Sequence, residues 1–334
     1  MTTPAVSVLM AVYNGASFLK ESIQSILSQS YKDLELLIID DGSDDGSLEI
    51  INSFTDKRIR VLQNQLNKGL IFTRNRGINE ARGKYLAILD CDDIAFPERI
   101  SKQVDFLAKH SEIKLCGGQA ITIDKNGVET GNFLKVPTNK RLLNVQLLFH
   151  NVFINSTIMM ELEAVKQVGG YSSNYSFCED YALSLAVAER FKVANLESTL
   201  IKYRVHEEST SQLKSTAMKE NERRIIASIH EKLKIESDDE LIEIHLSLLN
   251  PNGSDLSLNE YKRLFVSILA GNPDIKLYKK DLLKEFIFLK WFELIKEKRA
   301  RNPLNLYFDK ELFYLPAATL KQLRKIAKQN FSFF

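Results

Sequence analysis

The chain has 334 residues and a mass of 38.2 kDa, which is more than one ordinary domain needs. Its 44% hydrophobic and 26% charged residues exclude a disordered or collagen-like chain, and a formal net charge of +2 does not indicate a nucleic-acid partner. The charge is unevenly spread, because residues 276–334 hold 14 Lys and Arg against 6 Asp and Glu.

Strand-like and helix-like segments alternate through the first 125 residues, with short polar turns between them. This alternation predicts a mostly parallel sheet with helices on both faces. The predicted strands cover residues 6–13, 34–39, 58–63 and 84–89, and the predicted helices cover residues 17–30, 47–54 and 70–81.

The remainder of the chain divides into two regions with different sequence patterns. Residues 114–206 mix strand and helix signals: Gly117 and Gly118 predict a break in a strand, and residues 180–190 predict an amphipathic helix. After residue 211, charged stretches with Leu and Ile at helical spacing predict a C-terminal helical appendage. Its helices are expected over residues 221–233, 241–249 and 282–296.

The three cysteines are widely spaced and form no CxxC pair, so we expect buried, reduced thiols and not a zinc or redox motif. They are Cys91, Cys116 and Cys178. The N-terminus lacks the basic segment of a signal peptide, and no run of 18 apolar residues predicts a membrane span. The expected location is the cytoplasm.

Acidic residues follow two of the predicted strands. Asp40 and Asp41 end the second strand, and Asp90, Asp92 and Asp93 end the fourth. In a parallel α/β sheet, ligands bind at the carboxyl ends of the strands. Because crowded carboxylates repel one another, a divalent cation with an anionic ligand such as a diphosphate would stabilise both clusters.

The sequence at the end of the first strand excludes nucleotide sites that are built on glycine-rich loops. The strand leads into the sequence AVYNGAS, which has one glycine where a dinucleotide-binding fold needs GxGxxG, and no Walker A loop occurs. The sequence therefore predicts nucleotide binding through acids and metal.

Five segments resemble, in order, the motifs of family-2 glycosyltransferases with the GT-A fold: AVYNG, LIIDDGSDDGS, NKGLIFTRNRGINEARGKYLAILDCDDIAFPERI, CEDYALSLAVAERF and YRVHEESTS. The resemblance covers about residues 4–212. It implies a Rossmann-like sheet, with a nucleotide-binding half at 1–125, an acceptor half at 126–212 and a helical region at 213–334. DDIAFPER and HNVFINSTIMM further resemble bacterial lipooligosaccharide β-1,3-N-acetylglucosaminyltransferases.

The resemblance also implies roles on the nucleotide side. Asp41 would accept a hydrogen bond from the uracil N3–H, and Arg74 would reach the base or the phosphates or pair with the acidic cluster. Thr73 stands where the family usually has alanine. The uracil pocket would be lined by Ala11, Val12 and Tyr13.

The segment LDCDD matches the metal-binding DxD motif of the family. The match assigns Asp90 to the ribose side of the nucleotide and Asp92 to the metal, with Asp93 as a further metal ligand. Cys91 lies between them at the nucleotide-sugar site, and its side chain should point away from the ligand face. His206, in YRVHEESTS, would reach the metal or the diphosphate.

The pair Glu179-Asp180 opens a predicted helix, where acids also serve as caps. The resemblance gives Asp180 the general base and Glu179 the orientation of the acceptor. The implied reaction is an inverting transfer to a hydroxyl of a surface glycan, with Mn²⁺ or Mg²⁺ on the diphosphate. UDP-GlcNAc is the first donor expected, followed by UDP-Gal, UDP-GalNAc and UDP-Glc.

Two other classes stay open at this point: a nucleotidyltransferase, which would need a basic, glycine-rich phosphate loop, and a non-catalytic sugar-nucleotide-binding module. A glycoside hydrolase has no use for a diphosphate site.

The basic C-terminal region has two interpretations. One helical face carries Phe286, Leu289, Phe292 and Ile295, and lysines and arginines surround it. The stripe either packs against the rest of the protein, with the basic residues solvated, or the region attaches peripherally to the anionic inner leaflet of the membrane.

Overall fold

The computed structural model describes residues 3–206, 215–275 and 278–331, so the YRVHEESTS segment beyond His206 lies outside the described residues. The chain forms two compact units. The first comprises residues 1–143 and 151–218, and the second comprises residues 144–150 and 219–334.

In the described part of the first unit, nine strands form one sheet in the order β3-β2-β1-β4-β8-β6-β9-β5, with β7 beside β6. The strands are β1 Val6–Val12, β2 Leu34–Asp40, β3 Ile59–Gln63, β4 Tyr85–Ile88, β5 Ile94–Ala95, β6 Ile113–Ile123, β7 Glu129–Leu134, β8 Met159–Glu161 and β9 Lys192–Arg204. Strands β1 to β4 are parallel, as are β6 and β9, while β5, β7 and β8 pair antiparallel with their neighbours. The predicted α/β class with a mostly parallel sheet is confirmed.

Helices connect these strands. They are α1 Ala16–Leu27, α2 Ser47–Asn52, α3 Leu70–Glu80, α4 Arg99–Lys109, α5 Leu143–Gln146, α6 Leu162–Gln167 and α7 Glu179–Arg190. A short 3₁₀ helix, Asn155–Thr157, precedes β8. The helix predicted over residues 180–190 is therefore present as α7.

The first strands are long apolar runs because helices cover both faces of a parallel sheet. All seven residues of β2 are buried, as are six of the seven in β1. In the register, Val12 lies opposite Asp40, and Leu9 lies opposite Ile88. Strands β1, β2 and β4 consequently end along one edge of the sheet, with the acidic clusters just beyond them.

Strand β6 corrects one prediction, since it runs through Gly117 and Gly118 with irregular pairing to β9. A Cβ on Gly117 would lie 2.7 Å from Oδ1 of Asn195, and one on Gly118 would lie 2.7 Å from Cδ1 of Leu200. The glycines thus allow close approach by β9 and do not end the strand.

The second unit is helical in its described residues, and α8 begins just before it. Its helices are α8 Ser215–Lys232, α9 Asp239–Ser247, α10 Leu258–Ile275, α11 Lys280–Glu297, α12 Pro303–Tyr307 and α13 Leu320–Phe331. The C-terminal helices that the sequence predicts are confirmed.

Helix α11 lies in the core of this unit. Trp291 is fully buried and its Nε1 donates to the carbonyl oxygen of Leu306 at 2.7 Å. Phe286, Phe292 and Ile295, which belong to the predicted apolar stripe, are buried as well. Leu289, the fourth member, is half-buried, so most of the stripe packs inside the unit, as the first interpretation expects. None of the helices in the described ranges has the length and apolarity required to cross a bilayer.

Candidate active site

Asp41 lies directly after β2 and holds the loop that leads into α3. Its buried carboxylate accepts hydrogen bonds from Asn64 Nδ2 at 2.6 Å and from the backbone amides of Lys68 and Gly69, each at 2.9 Å. A carboxylate can accept about four hydrogen bonds, so Oδ2 has capacity for a further donor. Asp41 therefore anchors this loop.

The end of β1 supplies the other residues expected at the base. Val12 is buried, Ala11 is half-buried, and Tyr13 is 50% exposed, so its ring has a free face. The start of α2 and the loop before it hold the following turn, since the amides of Gly15 and Ala16 donate to Ser47 Oγ and Asp45 Oδ2 at 3.0 and 2.9 Å.

Arg74 is buried on α3 and connects two acidic segments. Its guanidinium donates to Asp90 Oδ1 and to Glu179 Oε1, both at 2.7 Å. Its Cζ lies 5.5 Å from the centre of the Tyr171 ring. Burial opposes the charge, but Asp90 and Glu179 outweigh it, and the pKa of Arg74 is raised above its ordinary value. Arg74 is therefore the positive centre of the site.

Asp90 is held ionised by the same network. Asn155 Nδ2 donates to both of its carboxylate oxygens at 3.2 and 3.0 Å, and Ser156 Oγ donates at 2.9 Å. Burial would raise the pKa of Asp90, yet the Arg74 charge and these hydrogen bonds lower it below its usual range. Cys91, the next residue, packs against the core cluster under the sheet.

Asp92 and His206 form a pair, although they are far apart in sequence. Oδ2 of Asp92 lies 3.1 Å from Nε2 of His206, and both side chains retain some exposure. The His206 ring packs 4.7 Å from the Phe18 ring of α1, centre to centre. A carboxylate oxygen and an imidazole nitrogen facing one another can act together as ligands of a divalent cation such as Mn²⁺.

Asp93 is buried beside this pair. Oδ1 accepts from the backbone amide of Arg204 at 2.8 Å, while Oδ2 is buried and has no hydrogen-bond partner among the described residues. Burial, with the charges of Asp92 and Asp90, raises the pKa of Asp93 well above its usual range. An unpartnered carboxylate oxygen is a position that a cation could satisfy. Across the described residues, no three His, Cys, Asp or Glu side chains are arranged to bind a metal by themselves.

Asp180 occupies the second position of α7 and is partly exposed. Nδ2 of Asn151 donates to its Oδ2 at 3.0 Å, and the backbone amide of Tyr181 donates to its Oδ1 at 2.8 Å. Burial and the neighbouring Glu179 charge raise the pKa of Asp180 to about 6. At neutral pH this carboxylate is mostly ionised and is a stronger base than an ordinary Asp.

Arg204 was not singled out in the sequence, yet it fixes the DxD turn. Its Nε donates to the carbonyl oxygen of Asp92 at 2.8 Å, and its Nη2 bonds to Glu21 Oε2 at 2.7 Å. The guanidinium carbon lies 4.7 Å from the Phe18 ring centre. An arginine at the end of a strand, two residues before His206, is the signal that could have identified it.

Three further polar residues of the site were also missed. Asn151 contacts Asp180, and Asn155 and Ser156 contact Asp90. All three lie in HNVFINSTIMM, where polar side chains interrupt an apolar run.

Comparison with known sequences identifies relatives. The sequence model of glycosyl transferase family 2 matches residues 7–169. An uncharacterized glycosyltransferase of Haemophilus influenzae is 33% identical over 232 residues, which are 66% of this chain and 72% of the relative. The Escherichia coli enzyme WfaP, a UDP-Glc:alpha-D-GlcNAc-diphosphoundecaprenol beta-1,3-glucosyltransferase, is 34% identical over 62% of this chain and 79% of its own.

Comparison of structures gives the fold. Residues 1–349 of S. aureus TarS, crystallised with UDP-GlcNAc, match with a TM-score of 0.57 and 16% identity over 88% of this chain and 87% of that chain. At this identity the likeness shows a shared fold, and the expected GT-A fold is confirmed.

Proposed function

The chain belongs to glycosyltransferase family 2, and on that basis we propose that it transfers a sugar from a UDP-sugar to a hydroxyl of a surface-glycan acceptor with inversion at the anomeric carbon. UDP-GlcNAc is the favoured donor, and UDP-Gal, UDP-GalNAc and UDP-Glc are the alternatives. TarS was crystallised with UDP-GlcNAc, while WfaP is described as using UDP-Glc, so relatives of this fold use more than one donor.

The observation that carries the proposal is the polar chain from Asp180 to Asp90. Asp180 is a partly exposed carboxylate with a raised pKa, and its neighbour Glu179 is joined through Arg74 to Asp90 of the DxD motif. One network therefore joins the general base to the first acid of the nucleotide-binding motif. A transfer reaction needs this proximity, because the acceptor hydroxyl and the donor sugar must meet at one site.

In the proposed mechanism, Asp180 removes the proton of the acceptor hydroxyl as that oxygen attacks the anomeric carbon. The bond from this carbon to the diphosphate oxygen breaks, UDP leaves with the electron pair, and the proton stays on Asp180. General base catalysis contributes typically about 10²–10⁴ in rate. Asn151 keeps the carboxylate in place through its hydrogen bond. One displacement inverts the configuration.

Family-2 enzymes generally use a divalent metal, and the residues here fit one. Asp92 and His206 would hold it together with the diphosphate and water, and a shift of the Asp93 side chain would bring in its oxygen as a further ligand, because the three side chains are not arranged around one cation in the structure. When bound, Mn²⁺ or Mg²⁺ neutralises the charge that develops on the leaving diphosphate. Arg204 keeps the backbone of Asp92 in position for this contact.

On the nucleotide side, Tyr13 and the end of β1 receive the uracil, and Asp41 accepts its N3–H at Oδ2. The acceptor is a glycan on a lipid carrier, and the enzyme works as a peripheral protein on the cytoplasmic face of the inner membrane. The domains divide accordingly, with nucleotide binding in residues 1–125 and acceptor binding in residues 126–212.

Release of free nucleoside diphosphate from a panel of UDP-sugars and nucleoside triphosphates tests this function. We expect UDP from one UDP-sugar, accelerated by acceptor and abolished by chelation. Pyrophosphate from a triphosphate would indicate a nucleotidyltransferase, and binding without turnover would indicate a non-catalytic module; either result would overturn the proposal.

A further inference from the structure

Helix α13 carries its charge on one exposed face. The helix contains no acidic residue, and Ile326 is buried on the side opposite to the charges. Gln329 Nε2 donates to the carbonyl oxygen of Ile295 at 3.2 Å, which ties this buried side to α11. The exposed basic side chains are Lys321, Arg324, Lys325 and Lys328.

Two leucines project near the start of the same helix: Leu320 is its first residue, and Leu315 begins the short 3₁₀ helix Leu315–Ala317 that precedes it. Leu315 is 73% exposed and Leu320 is 74% exposed, the highest exposures among the large apolar side chains in the described residues. The segment between them is ordered, because the Ala318 amide donates to the Leu315 carbonyl oxygen at 3.0 Å and the Thr319 amide donates to Gln322 Oε1 at 2.7 Å. These leucines are therefore held at the surface by local structure. Together with the four basic residues of α13 they form what we call the basic–leucine surface.

The nearest acidic residues in sequence do not neutralise this surface. Asp309 and Glu311 both pair with Lys262 Nζ, at 2.7 and 2.6 Å. In the described parts of the chain, no ion pair joins the four basic residues of α13 to an acid. The surface thus keeps four positive charges beside two exposed leucines.

We propose that the basic–leucine surface docks on an anionic lipid bilayer. Basic residues near a charged leaflet each add about a five-fold gain in partitioning, and apolar side chains at the edge of a basic helix insert at the boundary of headgroups and acyl chains. Nucleic-acid phosphates would use the positive charges but not the two leucines. This inference rests on the proposed function, which places the enzyme at the membrane, and it assigns the contact with lipid to α13. The apolar stripe of α11 is then not the membrane-binding element.

The experiment is co-sedimentation of the full chain with vesicles of phosphatidylcholine, with or without about one-third phosphatidylglycerol. We expect binding to the anionic vesicles only, weakened by added salt. The variant K321Q/R324Q/K325Q/K328Q should lose on the order of 10²–10³-fold in partitioning. The double variant L315S/L320S should bind less at every salt concentration, because the apolar contribution is not screened.

A matched control removes the same number of charges from exposed lysines of the first unit: K109Q/K125Q/K135Q/K192Q. If binding depends on where the positive charges lie and not on their total number, this control variant should keep wild-type vesicle binding. Thermal unfolding of each variant checks that it is folded, which we expect because every substituted side chain is exposed.

Equal binding to neutral vesicles, no binding to either kind, or equal loss in the control variant would overturn the inference. So would retention on RNA without binding to anionic vesicles, which would assign the surface to a nucleic acid. The assay needs no turnover, so its failure leaves the proposed transfer reaction standing. A failed UDP-release assay likewise leaves vesicle binding intact.

Discussion

Glu179 and Asp180 are adjacent carboxylates whose contacts give them different chemistry. Glu179 is buried and forms an ion pair with Arg74, whereas the hydrogen bonds to Asp180 come from the Asn151 side chain and from the backbone amide of Tyr181 in its own helix. Burial and the Glu179 charge raise the pKa of Asp180 to about 6, so this carboxylate can exchange a proton near neutral pH. Because Arg74 pairs with Glu179, Asp180 is the carboxylate of the two that we propose as the base.

The pH dependence of the rate should report Asp180. Its pKa of about 6 lies above the ordinary value, and a base works only when ionised, so kcat/KM should fall about ten-fold per pH unit below pH 6. Glu179→Gln removes a negative charge beside Asp180 and should move the inflection to lower pH. A steady-state pH profile measures both, and an inflection that stays in place in Glu179→Gln would contradict the assignment.

Replacement of Asp92 and replacement of Asp41 should both weaken UDP binding, but only the effect at Asp92 should depend on the metal. Asp92→Ala should abolish the part of UDP affinity that requires Mn²⁺, because it removes one member of the pair with His206. Asp41→Ala should weaken UDP binding at least ten-fold with or without Mn²⁺, because the loop to α3 loses its anchor.

Calorimetric titration of UDP with and without Mn²⁺ measures this difference. Asp44→Ala, which replaces an exposed acid in the loop between β2 and α2, is the control that should behave as wild type. If Asp92→Ala retains the full increment in affinity from Mn²⁺, the metal assignment is wrong.

At the scale of elements, α8 and α9 of the second unit meet through two buried histidines. His230 Nε2 and His245 Nδ1 lie 2.9 Å apart, and His230 Nδ1 lies 2.6 Å from Ser237 Oγ. Burial lowers the pKa of His230 to about 4 and that of His245 to about 3, so both rings are neutral at pH 7.

This pair should make the second unit sensitive to acid. A histidine with a lowered pKa binds its proton more readily in the unfolded chain, so stability is complete above about pH 6.5 and falls as the pH decreases toward 4. His230 alone contributes on the order of 3 kcal/mol to this loss.

Thermal unfolding between pH 7 and pH 4 measures the effect. His245→Gln should flatten the dependence, and His110→Gln in the first unit should leave it unchanged. An equal slope in wild type and His245→Gln would refute the role of the pair.

At the scale of the whole molecule, the sequence predicted those features that depend on residues close to one another in the chain. Acids after apolar strands predicted the positions of Asp41 and Asp90 at one edge of the sheet, since strand period and chain order decide which residues end a strand. The contacts of Arg204 could not be predicted in this way. It reaches Asp92 across 112 residues, and no pattern within a segment encodes that distance.

The C-terminal half shows the same limit. Helical spacing predicted the helix that became α11 and its apolar face, but it did not predict which helices cover that face. Trp291 and Phe288 are fully buried, and the exposed leucines lie elsewhere, at 315 and 320. Periodicity identifies an apolar face and leaves its partner undetermined.

The central claim is a UDP-sugar transfer in which Asp180 is the base, and the turnover of Asp180→Asn tests it most directly. UDP release from UDP-GlcNAc, or from the donor that the panel selects, should fall at least about 100-fold, while UDP affinity stays within two-fold of wild type. Asp105→Asn, an exposed acid on α4, is the matched control and should keep wild-type turnover. Retention of more than a tenth of wild-type turnover by Asp180→Asn would contradict the account.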